Sequence, residues 1–142
     1  MEQVQAEVDL AALEAIIEQL RLALPGVRSA LVTRNDGLPL VQTMSRVDAT
    51  KVAAMTATAI SLNKRITATV DAGDLTETSI SGSQGQILLY AAGSQAVLAL
   101  TADSGANVAM INLKARRAVR AITNAFAAAS PSSAPEENSA SL

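Results

Sequence analysis

The segment "LPGVRSALVTRNDGLPL", residues 24 to 40, decides the first half of the fold. Its Pro25-Gly26 pair ends any preceding helix, and the apolar, β-branched run that follows is typical of a strand. Asn35-Asp36-Gly37 then predicts a tight turn, because glycine supplies the positive φ that a three-residue hairpin with a bulge requires. A second strand follows over "LPLVQTM". Pro39 has no backbone donor, so this strand is predicted to lie at a sheet edge.

Two loops have an alternative interpretation as ligand sites. Asn35 and Asp36 cannot fill the six or more oxygen positions that calcium takes, and no downstream Glu completes such a loop. "SGSQGQ", residues 81 to 86, could cradle a phosphate, but it joins two predicted strands and lacks the helix and the Lys-Ser/Thr of a P-loop. The sequence therefore predicts two turns, with no metal and no cofactor.

The composition excludes most catalytic chemistry. The chain of 142 residues is 49% hydrophobic, yet it has one Phe, one Tyr and no Trp, so the core of a single domain must be aliphatic. The absence of His and Cys excludes thiolate and imidazole chemistry, disulfides and nearly all zinc or iron sites. A formal charge of -2 provides no general attraction to nucleic acid or to an anionic membrane.

The termini and apolar runs indicate a soluble cytoplasmic protein. The start, "MEQVQAEVDL", has no basic region followed by an apolar region, as a signal peptide would. The longest apolar run, "ILLYAAGSQAVLALTA", is interrupted by Gly93, Ser94 and Gln95, so neither part is long enough to span a bilayer. "SPSSAPEENSASL" has the composition of a disordered tail.

Three helices are predicted from apolar periodicity. The first carries apolar residues three and four positions apart from Leu10 to Leu24. The second is capped by Asp48 and runs to about Ile66. The third runs from Asn107 to about Ala128, and its polar side carries Lys114, Arg117 and Arg120. The second helix has an apolar stripe with helical spacing: Val52, Met55, Ala59, Leu62 and Ile66.

A second stripe, which we call the small-residue stripe, lies on the opposite side of this central helix. It consists of Thr50, Ala54, Ala57 and Ser61. One interpretation is a solvated helix face that is poor in charge. The other, which we favour, is a contact surface, because small residues allow another backbone to approach closely. Lys51, Lys64 and Arg65 surround it.

Three further segments, "LTETSIS", "QILLYAA" and "AVLALTA", are predicted strands separated by glycine-containing turns. The order is therefore helix, two strands, helix, three strands, helix. This order resembles the roadblock family, the dynein light chain-related domain used by bacterial partners of small Ras-like GTPases. Three features carry the resemblance besides the order: the 24 to 40 segment, the long central helix and the late segment "LLYAAGSQAVLALTADSGANVAMINLKARRAV". The resemblance covers roughly Leu10 to Phe126, and residues 10 to 128 form the expected domain between an N-terminal extension (1 to 9) and the tail (129 to 142).

The resemblance implies an α+β fold of the roadblock/profilin-like type, an α/β/α sandwich. A five-stranded antiparallel sheet would carry the central helix on one face and the terminal helices on the other. It also implies a homodimer in which third strands pair and central helices form a platform for a GTPase. Carried over, the dimer edge is Leu75, Thr76, Glu77, Thr78, Ser79 and Ile80, continuing to Ser81, and the partner-binding residues are Thr50, Lys51, Ala54, Ala57, Thr58, Ser61, Lys64 and Arg65.

Three functions follow in order of support. The first is a non-enzymatic dimeric regulator of a cytoplasmic small Ras-like GTPase. The second is a structural adaptor that dimerises and links a sensor kinase or motor components without acting on a nucleotide cycle. An enzyme comes third, because no pair of carboxylates or lysines has a spacing that suggests acid/base catalysis.

Overall fold

The computed structural model describes residues 7–129, and its elements follow the predicted order. They are α1 (Leu10–Ala23), β1 (Val27–Arg34), β2 (Pro39–Gln42), α2 (Arg46–Thr69), β3 (Thr78–Gly82), β4 (Gly85–Ala92), β5 (Ala96–Ala102) and α3 (Val108–Ala129). The predicted α+β class is confirmed. Of the expected tail, residue 129 is described and is the last residue of α3, while residues 130 to 142 lie outside the described part. Residues 1 to 6 of the expected N-terminal extension also lie outside it.

The five strands form one antiparallel sheet in the order β2-β1-β5-β4-β3. β1 and β5 are paired on both sides, and all of their hydrophobic residues are buried. β2 and β3 are the two edges, so the edge position predicted from Pro39 is confirmed. Pro39 pairs with Thr33 next to an irregularity in register, where a missing donor is tolerated.

The turn between β1 and β2 has the geometry expected from its sequence. Gly37 has a φ of 95°, which an L side chain rarely adopts. Its backbone N–H donates to the Arg34 carbonyl oxygen at 2.9 Å, and the Asp36 carboxylate accepts from the Leu38 N–H at 3.2 Å. The carboxylate thus serves the turn itself, as the hairpin prediction required.

The sheet separates two cores of different size. α1 and α3 pack together on one face, where alternate residues of β1, β4 and β5 meet large side chains such as Leu13, Ile17 and Ile122. α2 lies alone on the other face over a smaller cluster that includes Leu31, Leu89 and Val97. The expected sandwich, with the central helix on one face and the terminal helices on the other, is therefore confirmed.

The first turn of α2 differs from the prediction. Asp48 was expected to cap this helix, but the N-cap is Ser45, whose hydroxyl oxygen accepts from the Asp48 N–H at 3.1 Å. Serine is a preferred N-cap residue, and Asp48 in the first turn is favourable to the helix dipole without being the cap. The helix extends three residues beyond the predicted Ile66, to Thr69.

The side of α2 that faces the sheet is neither of its two sequence stripes. It is formed by Ala49, Ala53, Thr56 and Ile60, which are buried and lie between the apolar stripe and the small-residue stripe around the helix. Only Ile60 among them is a large apolar residue. Consequently the apolar stripe that identified the helix is largely left at the surface: Met55, Leu62 and Ile66 are all exposed.

On the opposite face, Tyr90 is fully buried, and its hydroxyl lies 2.5 Å from the Asn112 Oδ1 on α3. Burial raises the pKa of this phenol above its usual value of about 10, since the phenolate is disfavoured away from water. The negative charge of Glu77 raises the pKa further, and the positive charge of Arg116 opposes the shift.

This shift predicts a loss of stability at alkaline pH. The unfolded chain releases the Tyr90 proton near pH 10 while the folded chain retains it, so the free energy of unfolding should fall above about pH 10, by up to about 1.4 kcal/mol per pH unit. Tyr90 is the only tyrosine and the chain has no tryptophan, so ultraviolet phenolate absorbance reports this group alone. Phenolate should appear together with the loss of helical circular dichroism, and titration near pH 10 with native dichroism would contradict the assignment.

Candidate functional site

The exposed part of α2 has a row of large apolar side chains. Met55 is 63% exposed, Leu62 54% and Ile66 50%, and they share one side of the helix. Because burying large apolar side chains is favourable, a row of three on a single helix side indicates a contact surface more strongly than scattered exposed residues would.

The edge strand β3 has a further exposed apolar residue on the same side of the sheet as α2. Ile80 pairs with Ile87 of β4, which packs against the core beneath α2, so Ile80 lies on the α2 side of the sheet, where it is 50% exposed. Within residues 7–129, β3 pairs only with β4, which leaves its other edge with unpaired backbone groups. We call Met55, Leu62, Ile66 and Ile80 the α2–β3 apolar surface.

A side-chain hydrogen bond holds α2 next to β3. The Asn63 amide nitrogen donates to the Thr78 hydroxyl at 2.7 Å. Asn63 is adjacent to Leu62 and three residues before Ile66, so the bond sets this side of the helix beside the beginning of the edge strand. Leu75 supports the arrangement by packing against the core beneath α2.

The predicted dimer edge is therefore only partly a strand. Thr78, Ser79, Ile80 and Ser81 belong to β3, but the strand begins three residues later than the predicted segment. Leu75 to Glu77 lie before it and have structural contacts: Leu75 packs on the core, and Glu77 accepts from Arg116 of α3 at 2.9 Å. The segment preceding β3 is thus fixed to both faces of the domain.

The predicted partner-binding residues lie on the other exposed side of α2. All are exposed except Ala57, which is half-buried. Lys51, Thr58 and Arg65 follow one another at seven-residue intervals, so they form a line along the helix pointing away from the sheet. Thr58 donates its hydroxyl to the Ala54 carbonyl oxygen within the helix, which satisfies this polar group without a partner protein.

Part of the small-residue stripe is explained by a contact within the chain. A Cβ added at Gly37 would lie 3.4 Å from the Ala54 Cα and 3.8 Å from the Ala57 Cβ. The β1–β2 turn therefore approaches α2 closely at these two alanines. Thr50 and Ser61 remain exposed and available to another molecule.

Met55, Leu62 and Ile66 were not predicted from the sequence to lie at the surface. Their helical spacing alone is equally compatible with a core face, because burial against the domain and burial against a second molecule require the same pattern. The sequence does contain a signal for the side that faces the sheet. Ala49, Ala53, Thr56 and Ile60 also have helical spacing, and their mostly small side chains are better suited to close packing on a sheet than those of the apolar stripe.

Comparison with known proteins assigns the family. A profile of the Roadblock/LC7 domain matches residues 14–102, more than half of the chain. The chain belongs to the Roadblock/LC7 domain family. The resemblance predicted from the order of its elements is thus confirmed.

Two uncharacterized proteins of Methanocaldococcus jannaschii are each 31% identical to this Roadblock domain over 102 residues, covering 71% of the chain and 89% of either relative. These relatives are archaeal, so family membership does not point to a bacterial source.

Solved structures share the fold. The Roadblock/LC7 domain from Streptomyces avermitilis superimposes with a TM-score of 0.75 at 21% identity, covering 79% of this chain and 95% of that chain. MglB of Myxococcus xanthus superimposes with a TM-score of 0.77 at 16% identity, covering 89% of this chain and 96% of that chain. The gliding protein MglB of Thermus thermophilus superimposes with a TM-score of 0.74 at 17% identity, covering 88% of this chain and 97% of that chain. At these identities the likeness shows the fold.

None of the helices within residues 7–129 combines the length and the hydropathy needed to cross a bilayer.

Proposed function

We propose that this Roadblock domain is a non-enzymatic, homodimeric regulator of a cytoplasmic small Ras-like GTPase, which it binds through a platform of paired central helices. The observation that carries the proposal is the α2–β3 apolar surface, which lies beside an unpaired strand edge in a member of the Roadblock/LC7 family. The similarity of fold to MglB and the role expected of the family support a regulatory function rather than a catalytic one.

Self-association through β3 accounts for both unusual features of this surface. An edge strand without lysine or proline is open to pairing with another strand, and the described β3 has neither. Antiparallel pairing of two β3 strands across a two-fold axis would satisfy their free backbone groups. Because the Asn63–Thr78 hydrogen bond holds α2 beside β3, the same pairing brings the two α2 helices together and covers Met55, Leu62 and Ile66.

The GTPase would then contact the outward side of α2. The line of Lys51, Thr58 and Arg65 points away from the sheet, and Thr50 and Ser61 of the small-residue stripe are exposed beside it. In a two-fold symmetric dimer the outward sides of the two α2 helices would lie next to each other. Together they would form a broad surface with basic residues at intervals. Such charges steer an acidic partner surface and increase its association rate more than they increase affinity.

The regulator would act by ordering the catalytic residues of the GTPase. Arg65 is the only arginine among the predicted partner-binding residues, but it lies within a regular helix and is poorly suited to insertion into a nucleotide site as an arginine finger. The proposed role of the chain is to bind and orient, and the hydrolytic chemistry belongs to the partner.

A pull-down from the native cytoplasm tests this function. The full chain as bait should recover a small GTPase, identified by mass spectrometry, and the recovered GTPase should bind the purified full chain directly. Recovery of sensor kinase or motor components without any GTPase would contradict the regulator function and support the adaptor hypothesis. The Arg117→Glu/Arg120→Glu variant, altered on the far side of the sheet, should recover the same GTPase as the unmodified chain.

A further inference from the structure

An open pocket of about 310 Å³ lies between the C-terminal half of α2 and the ends of β1 and β5. It is on the small-residue side of α2, away from the α2–β3 apolar surface. Its lining residues are Asn35, Ala57, Ile60, Ser61, Lys64, Arg65 and Val97.

The floor and the rim of the pocket differ in chemistry. Ile60 and Val97 are buried and form an apolar floor, with the half-buried Ala57 beside them. Ser61, Lys64 and Arg65 are exposed at the rim. An apolar cavity with a few polar groups at its edge is the usual construction of a site that holds one side chain or a small ligand.

The wall opposite α2 is held in place by hydrogen bonds. The Asn35 amide nitrogen donates to the Ser94 carbonyl oxygen at 2.6 Å, and the Asn35 backbone N–H donates to the Gln95 carbonyl oxygen at 2.9 Å. These bonds join the end of β1 to the β4–β5 turn. This wall is therefore fixed before a ligand enters, which reduces the entropy lost on binding.

The charge at the rim is not compensated by the described part of the chain. The ion pairs found within residues 7–129 are Arg21–Glu18, Arg28–Asp103, Arg34–Asp36 and Arg116–Glu77. Lys64 and Arg65 take part in none of them. Two adjacent cations above an apolar floor are complementary to a carboxylate that is attached to an apolar group.

We propose that this pocket binds an acidic peptide segment of the partner protein, with an apolar side chain on the floor and a neighbouring carboxylate at Lys64 and Arg65. The inference rests on the proposed function and specifies the partner segment that the platform recognises. The volume is at the lower end of ligand pockets, which suits one side chain with its adjoining backbone. A free phosphate would match the rim but would leave the apolar floor without a partner.

A first test needs no GTPase. N-acetyl-Leu-Glu-N-methylamide and its neutral counterpart N-acetyl-Leu-Gln-N-methylamide are titrated into the isotope-labelled full chain at low salt and followed by NMR. The acidic peptide should bind at least about threefold more tightly, since exposed ion pairs contribute modestly, and it should shift the amides of Ser61, Lys64 and Arg65. The preference should disappear in Lys64→Glu/Arg65→Glu and persist in Arg117→Glu/Arg120→Glu.

Equal affinity for the two peptides, or the absence of shifts at the pocket up to the solubility limit of the acidic peptide, would overturn the inference. A preference retained in Lys64→Glu/Arg65→Glu would overturn it as well.

A second test separates this inference from the proposed function. Ser61→Trp fills the mouth of the pocket from an exposed position and should reduce binding of the recovered GTPase at least tenfold. If the unmodified chain and Ser61→Trp bind the GTPase equally, regulation of a GTPase stands as the proposed function, while the pocket inference and the contact of Ser61 with the GTPase both fail. If the acidic peptide is preferred but no GTPase is recovered, the pocket stands and the proposed function fails.

Discussion

Ile80→Asp is expected to convert the protein from a dimer into a monomer. In the proposed dimer, Ile80 lies against the second subunit, and a carboxylate at this position would be taken out of water without a partner. An uncompensated buried charge costs about 3–5 kcal/mol, which raises the dimer dissociation constant by about a hundredfold or more. Light scattering at micromolar concentration should therefore give about 29 kDa for the unmodified protein, twice the 14.6 kDa of one chain, and half of that mass for the variant.

Leu113→Asp is the matched control for this change. Leu113 is 57% exposed, similar to Ile80, but it lies on α3 at the opposite face of the sheet. The control should remain dimeric with native circular dichroism. An unmodified protein that scatters as a single chain would contradict the dimer, and equal masses for the two variants would contradict its placement at β3.

Ile60→Ala is expected to cause the largest loss of folding stability among single changes on α2. Ile60 is the only large apolar side chain that α2 buries against the sheet, since its other buried residues are alanines and a threonine. Removing a buried isoleucine side chain to Cβ typically costs about 2–5 kcal/mol, through lost transfer free energy and the cavity that remains. Urea unfolding followed by circular dichroism measures the change.

Leu62→Ala is the control two positions away. Leu62 is 54% exposed within one chain, so this change should cost less than about 0.5 kcal/mol when both variants are measured in the monomeric Ile80→Asp background. If Leu62→Ala destabilised the monomer as much as Ile60→Ala, the apolar stripe would face the sheet and the assignment of helix sides would be wrong.

Much of the fold could be predicted because local chemistry determines it. Gly37 requires a conformation that other residues avoid, and Pro39 cannot occupy a central strand, so the hairpin and its edge follow from residue type. α3 was also predictable as a helix from its apolar periodicity, and the residues that it buries share one side: Ile111, Ala115, Ile122 and Phe126.

The orientation of α2 could not be predicted in the same way. This helix has apolar or small residues on three of its sides, so its hydrophobic pattern does not select one side to face the sheet. The selection is made by tertiary contacts, including the close approach of the Gly37 turn to Ala54 and the hydrogen bond from Asn63 to Thr78. The start of β3 was missed for a related reason, because the contacts of Leu75 and Glu77 are with distant elements.

Pairing of two β3 strands is the basis of the proposed platform, and cysteine cross-linking tests it most directly. The chain has no native cysteine, so a single cysteine introduced at each position from 78 to 82 can form a disulfide only with a second chain. When two β3 strands pair antiparallel across a two-fold axis, the residue nearest the axis lies opposite the same residue of the second chain. The two Cα atoms are then within the separation of about 4.4–6.8 Å that a disulfide spans. One or two of the five variants should form a cross-linked dimer rapidly on mild oxidation, far faster than Ser94→Cys in the exposed β4–β5 turn. If all five cross-link no faster than Ser94→Cys, the β3 strands do not pair and the platform does not form in this way.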